Sequence, residues 1–204
     1  MLKSFVIKRK KMLSYKESLK ILKETKALIE GHFVLSSGLH SDKYVQCAQL
    51  LSKPEKSRQI CESLAEKIKE KISKIDLILA PAMGGIVIGF EIGRLLKVET
   101  IFSERVNGKF ELRRNFKIEK GKNVLIIEDV ITTGKSSIEC SQLVKSAGAN
   151  LIGYACIIDR SNNKSLIDKE IISQVKIDIP VYDPKNLPEH LNSIKAVKPG
   201  SRNL

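Results

Sequence analysis

Two adjacent carboxylates, Glu128 and Asp129, close a short apolar run from Val124 to Ile127 and are followed by Val130-Ile131-Thr132-Thr133-Gly134-Lys135-Ser136. Like charges repel, so an acid pair does not hold an anion. It calls for a hydroxyl, a cation or a developing positive charge. The hydroxyl-and-glycine loop behind it calls for the opposite. It leads into a helix whose stripe is Cys140, Leu143, Val144 and Ala147, and the free N–H groups and dipole of a helix start favour a phosphate. A ligand offering both a phosphate and a diol is a ribose phosphate. Two other readings stay open on these residues alone. The acids could be a solvated strand end, with Thr132-Thr133-Gly134 an ordinary loop. Alternatively, Thr133-Gly134-Lys135-Ser136 ends like a P-loop, with Asp159 as a second acid; the first glycine of that pattern falls on Asp129, where a carboxylate would face the phosphates.

Other residues could join such chemistry. Gly84-Gly85, after Met83, permit the close backbone approach that a diphosphate needs. Arg105, Lys109, Arg113 and Arg114 lie in a polar stretch with Asn107-Gly108 as a hairpin turn signal and could neutralise diphosphate. Arg160, just past an apolar run, could grip a carboxylate bidentately. His32 and His40 have no partner pattern and are expected to be solvated loop residues. Cys47, Cys61, Cys140 and Cys156 are scattered and read as small core residues in a reducing compartment.

The elements that must position these groups follow from periodicity. Ser14 and Glu17 form a capping box opening a helix to about Glu30, with Gly31 as its stop. Two short apolar-alternating pieces flank Ser37-Gly38 as a hairpin. Residues 54–72 carry Ile60, Leu64 and Ile68 on one helical face. Strands are predicted at 75–80, 98–103, 124–128 and 151–158, alternating with helices, and a last short one at 175–179. This pattern gives an α/β fold with a mostly parallel central sheet flanked by helices. The tail, rich in proline, is expected to be loop or short helix.

A chain of 204 residues suits one domain. We divide it into a disordered basic arm at 1–13 and a single domain at 14–204, with a small N-terminal hood at about 14–50 and a core at about 54–180. Lys3, Lys8, Arg9, Lys10 and Lys11 put five of the positive charges in the arm, against a net charge of +13. That excess suits an anionic partner, nucleic acid or polyphosphate. Aromatics are 5% and tryptophan is absent, which argues against a single-strand stacking platform. No apolar run approaches the ~20 residues needed to span a bilayer.

The stretch Glu128 to Gly134 resembles the phosphoribosyl diphosphate (PRPP) motif of the type I phosphoribosyltransferases. Phe33, Leu35, Ser37, Gly38, Ser41 and Tyr44 resemble a hood motif of the orotate phosphoribosyltransferases, and Asp159-Arg160 is similar to the pair whose arginine grips the carboxylate of orotate. The resemblance runs from about Ser14 to Arg160. It implies transfer of the phosphoribosyl group from PRPP to orotate, giving orotidine 5′-monophosphate and diphosphate. Mg²⁺ would be required and held mainly through PRPP, with no direct protein ligand.

It also implies a cytoplasmic homodimer with a mobile loop at about 104–117 acting in trans, and no membrane or nucleic-acid partner. By the same resemblance Glu128, Asp129, Arg105 and Lys109 are catalytic. Val130, Ile131, Thr132, Thr133, Gly134, Lys135 and Ser136 bind PRPP with Met83, Gly84, Gly85, Arg105, Arg113 and Arg114, and Thr132 and Arg160 bind orotate. The chain departs from the family at Ser36 and Gly84, where relatives carry lysine. It departs again in the loop, which has Glu104-Arg105 and no histidine, and at Lys135, which we expect to point outward. A purine phosphoribosyltransferase shares the PRPP motif, and a PRPP-binding regulator of the same fold is the non-enzymatic alternative.

Overall fold

The structure, a computed structural model, describes residues 12–35, 37–162 and 165–199. Most of the basic arm and Ser36 therefore lie outside the described residues. Leu13, counted above with the arm, packs against the core and donates its N–H to Ser63 Oγ at 2.9 Å.

The first helix, α1 (Tyr15–Glu24), opens with the predicted capping box, Ser14 Oγ accepting from Glu17 N and Glu17 Oε2 from Ser14 N. It does not continue to Glu30. The Thr25 hydroxyl turns back onto the Ile21 and Leu22 carbonyls, Lys26 takes a positive φ of 59°, and the chain reverses. Leu28 and Ile29 are then the start of strand β1 (Leu28–Val34), paired antiparallel with β2 (His40–Val45). The turn between them carries Gly38 at φ 82°. A short helix, α2 (Cys47–Leu51), that periodicity did not reveal precedes α3 (Pro54–Lys71).

The main sheet begins with β3 (Leu77–Pro81) and continues through α4 (Gly84–Leu96), β4 (Thr100–Val106), β5 (Lys109–Leu112) and β6 (Asn123–Ile131). It is completed by α5 (Lys135–Ser146), β7 (Asn150–Asp159) and β8 (Ile171–Lys176), before the short α6 (Glu189–Asn192). The strand order is β5-β4-β3-β6-β7-β8, all parallel except the hairpin strand β5. The last strand lies earlier than the predicted 175–179. Residues 171–173 face partly into the sheet edge, while Ile177 and Ile179 are buried in loop.

Strand alternation sorts the core into two layers. Ile78, Leu125, Ile127, Ala155 and Ile157 point to the α1–α4 side, and Leu79, Val124, Ile126, Tyr154 and Cys156 to the α5 side. Helix α4 approaches unusually closely. A Cβ at Gly85, Gly89 or Gly93 would come within 2.8 Å of Ile127 O, 2.8 Å of Ala80 Cβ and 2.0 Å of Thr100 Oγ1. This one-per-turn glycine stripe seats the helix on β3, β4 and β6 with backbone nearly in contact.

The proline-rich tail also has a structural task. Tyr182 pairs antiparallel with His40 on one edge of the β1–β2 hairpin, and Val197 pairs parallel with Phe33 on the other. The tail thus extends the hairpin on both sides.

Candidate active site

The carboxyl ends of β3, β4, β6 and β7 bring the predicted residues to one rim. Strand β6 runs past the predicted end at 128 to Ile131, so Asp129 as well as Glu128 lies within the strand. Alternation roots them on opposite faces of the strand, yet their carboxyl groups still reach each other in a hydrogen bond. Asp129 follows Ile127 toward α4, where its Oδ1 stands 2.6 Å from the position of a Cβ on Gly84. Its backbone carbonyl lies 3.8 Å from Cys47 Sγ. Glu128 takes the α5 side, near enough to add its charge to the environment of Cys140.

Glu128 is 9% exposed. Burial first, and then the neighbouring carboxylate, push its carboxyl up to about 8. Asp129 is also raised by burial, an effect opposed by the Val130 N–H that its Oδ1 accepts at 2.9 Å. A buried acid and a half-buried one, both resisting ionisation, describe a site suited to hydroxyl groups or positive charge.

Behind them the loop turns at Gly134, with φ 78°, and α5 begins without a side-chain cap and without an acid in its first turn. Helix α4 begins the same way. Both helix starts therefore present backbone N–H groups at the rim. Glycine is required at 134 on two counts: the backbone is left-handed, and a Cβ there would come 2.8 Å from Ile167 Cγ1. The segment carrying Ile167 is fastened by Leu166 N donating to Thr133 O at 2.9 Å, so a stretch that the sequence analysis passed over braces the loop. Thr132, Thr133 and Lys135 are exposed and Ser136 is half-buried. A P-loop is disfavoured here, since Asp129 sits inside β6 against Gly84.

Arg160 follows β7 directly, its N–H donating to Ile131 O at 2.9 Å, which sets it beside Thr132. Its Nε is buried and has no partner. Burial lowers the affinity of the guanidinium for its proton, and of the titratable groups only the Tyr44 phenol acts against that. Tyr44, on β2, has its hydroxyl 3.2 Å from Gln46 Oε1 and its ring 5.7 Å from that of Phe33. Among the described residues Arg160 has no carboxylate in an ion pair, so a surface salt bridge does not account for it.

The basic stretch forms the β4–β5 hairpin, turning at Asn107-Gly108 as predicted. Arg105 is paired with Glu139 of α5 at 2.8 Å and stacks 4.2 Å from the Phe110 ring. Arg114 is paired with Glu104 at 2.9 Å. Lys109 and Arg113 are exposed.

Met83, just before α4, is 83% exposed. The histidine expectation is corrected: His32 is 6% exposed inside β1 and contacts His40 at 2.5 Å. The strand pair puts Val34 opposite His40, which brings the rings together across the hairpin. The four cysteines are buried free thiols, as expected. Among the described residues no group of three or more acid, histidine or cysteine side chains could hold a metal, and no helix is long and apolar enough to cross a membrane.

The Phosphoribosyl transferase domain family profile matches residues 48–185. The orotate phosphoribosyltransferase of Parvibaculum lavamentivorans is 44% identical over 189 residues, covering 91% of this chain and 97% of that protein. That of Rhizorhabdus wittichii is 47% identical over 178 residues, covering 86% and 90%. The crystal structure of orotate phosphoribosyltransferase from Aeropyrum pernix superposes with a TM-score of 0.65 at 21% identity, over 78% of this chain and 92% of that one, a likeness of fold.

Proposed function

The chain belongs to the orotate phosphoribosyltransferases of the phosphoribosyl transferase domain family, and from that premise we propose how its residues carry the reaction. The activity is transfer of the 5-phosphoribosyl group from PRPP to orotate, releasing diphosphate. The observation that carries the specificity is Arg160: a half-buried arginine whose Nε is buried and unpartnered, set beside Thr132 on the rim that holds Glu128 and Asp129. Burying a charged N–H donor without a partner costs free energy, and an orotate carboxylate would recover it. A purine base has nothing to offer there.

In this reading the N–H groups from Thr132 to Ser136 cradle the 5′-phosphate, and those from Met83 to Gly85 approach the diphosphate. Glu128 and Asp129 take the ribose hydroxyls. One of the two carboxyls keeps a proton in the free site and can donate it in a hydrogen bond. As C1 of the ribose gains positive charge on departure of diphosphate, the pair is driven toward ionisation and stabilises that charge. Orotate N1 then attacks from the opposite face, its carboxylate fixed by Arg160 and its ring contacted by Thr132. The hairpin β1–β2 is the hood over the base.

The residues present fit Mg²⁺ delivered on PRPP, with raised carboxyls near the hydroxyls rather than a protein cage. The ion would neutralise the diphosphate leaving group.

We further propose a homodimer. Met83, at the N-cap of α4, and Val87 and Phe90 within it recur at i, i+4 and i+7, 83%, 52% and 67% exposed, an apolar stripe next to the site. With Arg105 and Arg114 paired within the chain, Lys109 and Arg113 are the hairpin cations available to a partner's diphosphate. Phe90→Asp should convert a dimer to a monomer in sedimentation. A cytoplasmic location is supported by the four free thiols.

The experiment is consumption of orotate, followed by its ultraviolet absorbance, with PRPP and Mg²⁺, beside Arg160→Ala. Turnover lost in the variant supports the assignment. Orotate left untouched while adenine or hypoxanthine reacts would replace it with a purine enzyme.

A further inference from the structure

The two histidines corrected above lie where the hood hairpin meets the tail. His32 Nδ1 is 2.9 Å from the Ile194 carbonyl, which can only accept, so Nδ1 carries the proton. His32 Nε2 is then an acceptor, and His40 Nδ1, at 2.5 Å, must donate to it. The chain of donors runs in one direction, from β2 through β1 to the tail. It is flanked by four backbone bonds of the same junction. Val34 N donates to Val197 O, Val197 N to His32 O, His40 N to Tyr182 O and Tyr182 N to His40 O, all at 2.8–2.9 Å.

A first added proton goes to His40 Nε2 and leaves the chain intact. A second can only go to His32 Nε2, which turns the acceptor into a donor facing a donor. Two imidazolium rings 4.7 Å apart would then repel.

We propose that His32 and His40 are positioning residues forming a proton-dependent clasp, which fastens the hood hairpin to the C-terminal segment while the pair carries at most one added proton and releases it at two. The other ionisable side chains at the junction are Asp42, two residues along β2, and Tyr182, paired opposite His40. Asp178, like Asp42, acts on the Tyr182 phenol, His190 is edge-on to the Tyr182 ring at 6.3 Å, and Lys195 and Lys198 follow Ile194. Because Tyr44 and Phe33 sit on the same hairpin, release lowers the fraction of chains that present the hood to the base. Apparent KM for orotate then rises by the inverse of that fraction.

The test is hydrogen-exchange protection of the Val34, His40, Tyr182 and Val197 amides between pH 7.5 and 4.5. These four should lose protection together, at least tenfold, while the β6 and β7 amides keep theirs. His32→Asn retains a donor to Ile194 O but cannot titrate, so its protection should be independent of pH. His40→Asn offers an amide whose Oδ1 can accept from a protonated His32 Nε2, so no donor faces a donor and the joint loss of protection should disappear there too. Flat wild-type protection, or a pH step that survives in His32→Asn, overturns the clasp. An activity arm, which alone rests on the proposed function, compares KM values at pH 7.5 and 5. We expect KM for orotate to rise about fivefold more in wild type than in His32→Asn, with no such difference for PRPP. Absence of orotate turnover would sink the functional reading and leave the exchange result standing.

Discussion

Replacing Arg160 by methionine separates function from stability. Methionine keeps an unbranched apolar stem where the arginine stem packs and removes the guanidinium. In the free protein that group is costly, since its Nε is buried without a partner and burial disfavours its charge. An unsatisfied buried donor costs about 1–3 kcal/mol. Allowing for imperfect repacking, the variant should gain about 1 kcal/mol, a rise of roughly 2–4 °C in Tm for a chain of this size. Activity should move the other way. A guanidinium–carboxylate pair lost at a desolvated site costs about 2–5 kcal/mol, so kcat/KM for orotate should fall by roughly two orders of magnitude or more. KM for PRPP should stay within about threefold.

The assay is orotate absorbance at varied orotate and fixed saturating PRPP, then the reverse, beside a thermal melt without ligand. If the variant melts well below wild type, Arg160 is a structural residue and the assignment fails. If kcat/KM for orotate stays within threefold, the carboxylate is gripped elsewhere.

Further outcomes follow from the same geometry. The Glu128 carboxyl, raised by burial from the ordinary 4.5 to about 8, holds a proton in the folded state that the unfolded chain has released. Wild-type stability should therefore fall as pH rises from about 4.5 to 8. Glu128→Gln should be progressively more stable than wild type over that window in urea melts at pH 5 and 8.5, while its turnover falls at least tenfold. Gly134→Ala meets both a positive φ and Ile167. It should lose about 1–2 kcal/mol from the backbone alone and raise KM for PRPP, with a larger loss than Gly134→Ala made together with Ile167→Ala. Lys135→Ala, at an exposed position, should leave both KM values within about twofold and stability within about 0.5 kcal/mol. A large rise in KM for PRPP there would bring Lys135 into the phosphate site.

Local order in the chain was enough to find β6, the loop at Thr132–Gly134 and α5, because a buried parallel strand, a glycine turn and an amphipathic helix each leave a short-range pattern. The capping box at Ser14 and the Asn107-Gly108 turn were legible for the same reason. The residue types also pointed to the pairing of an acid edge with a phosphate cradle. Where local patterns were ambiguous, tertiary contacts decided. Leu28 and Ile29 satisfy a helical face and a strand face equally, and it is pairing with β2, with Leu28 opposite Val45, that makes them strand. His32 and His40 carry no motif, and only the hairpin register and the returning tail make them partners. The seating of Gly84 against Asp129, of Ile167 against Gly134, and the isolation of Arg160 Nε all join residues distant in sequence. Periodicity reports which face is apolar, whereas desolvation, and with it the raised carboxyls and the unpaired guanidinium, exists only once the sheet has closed around them.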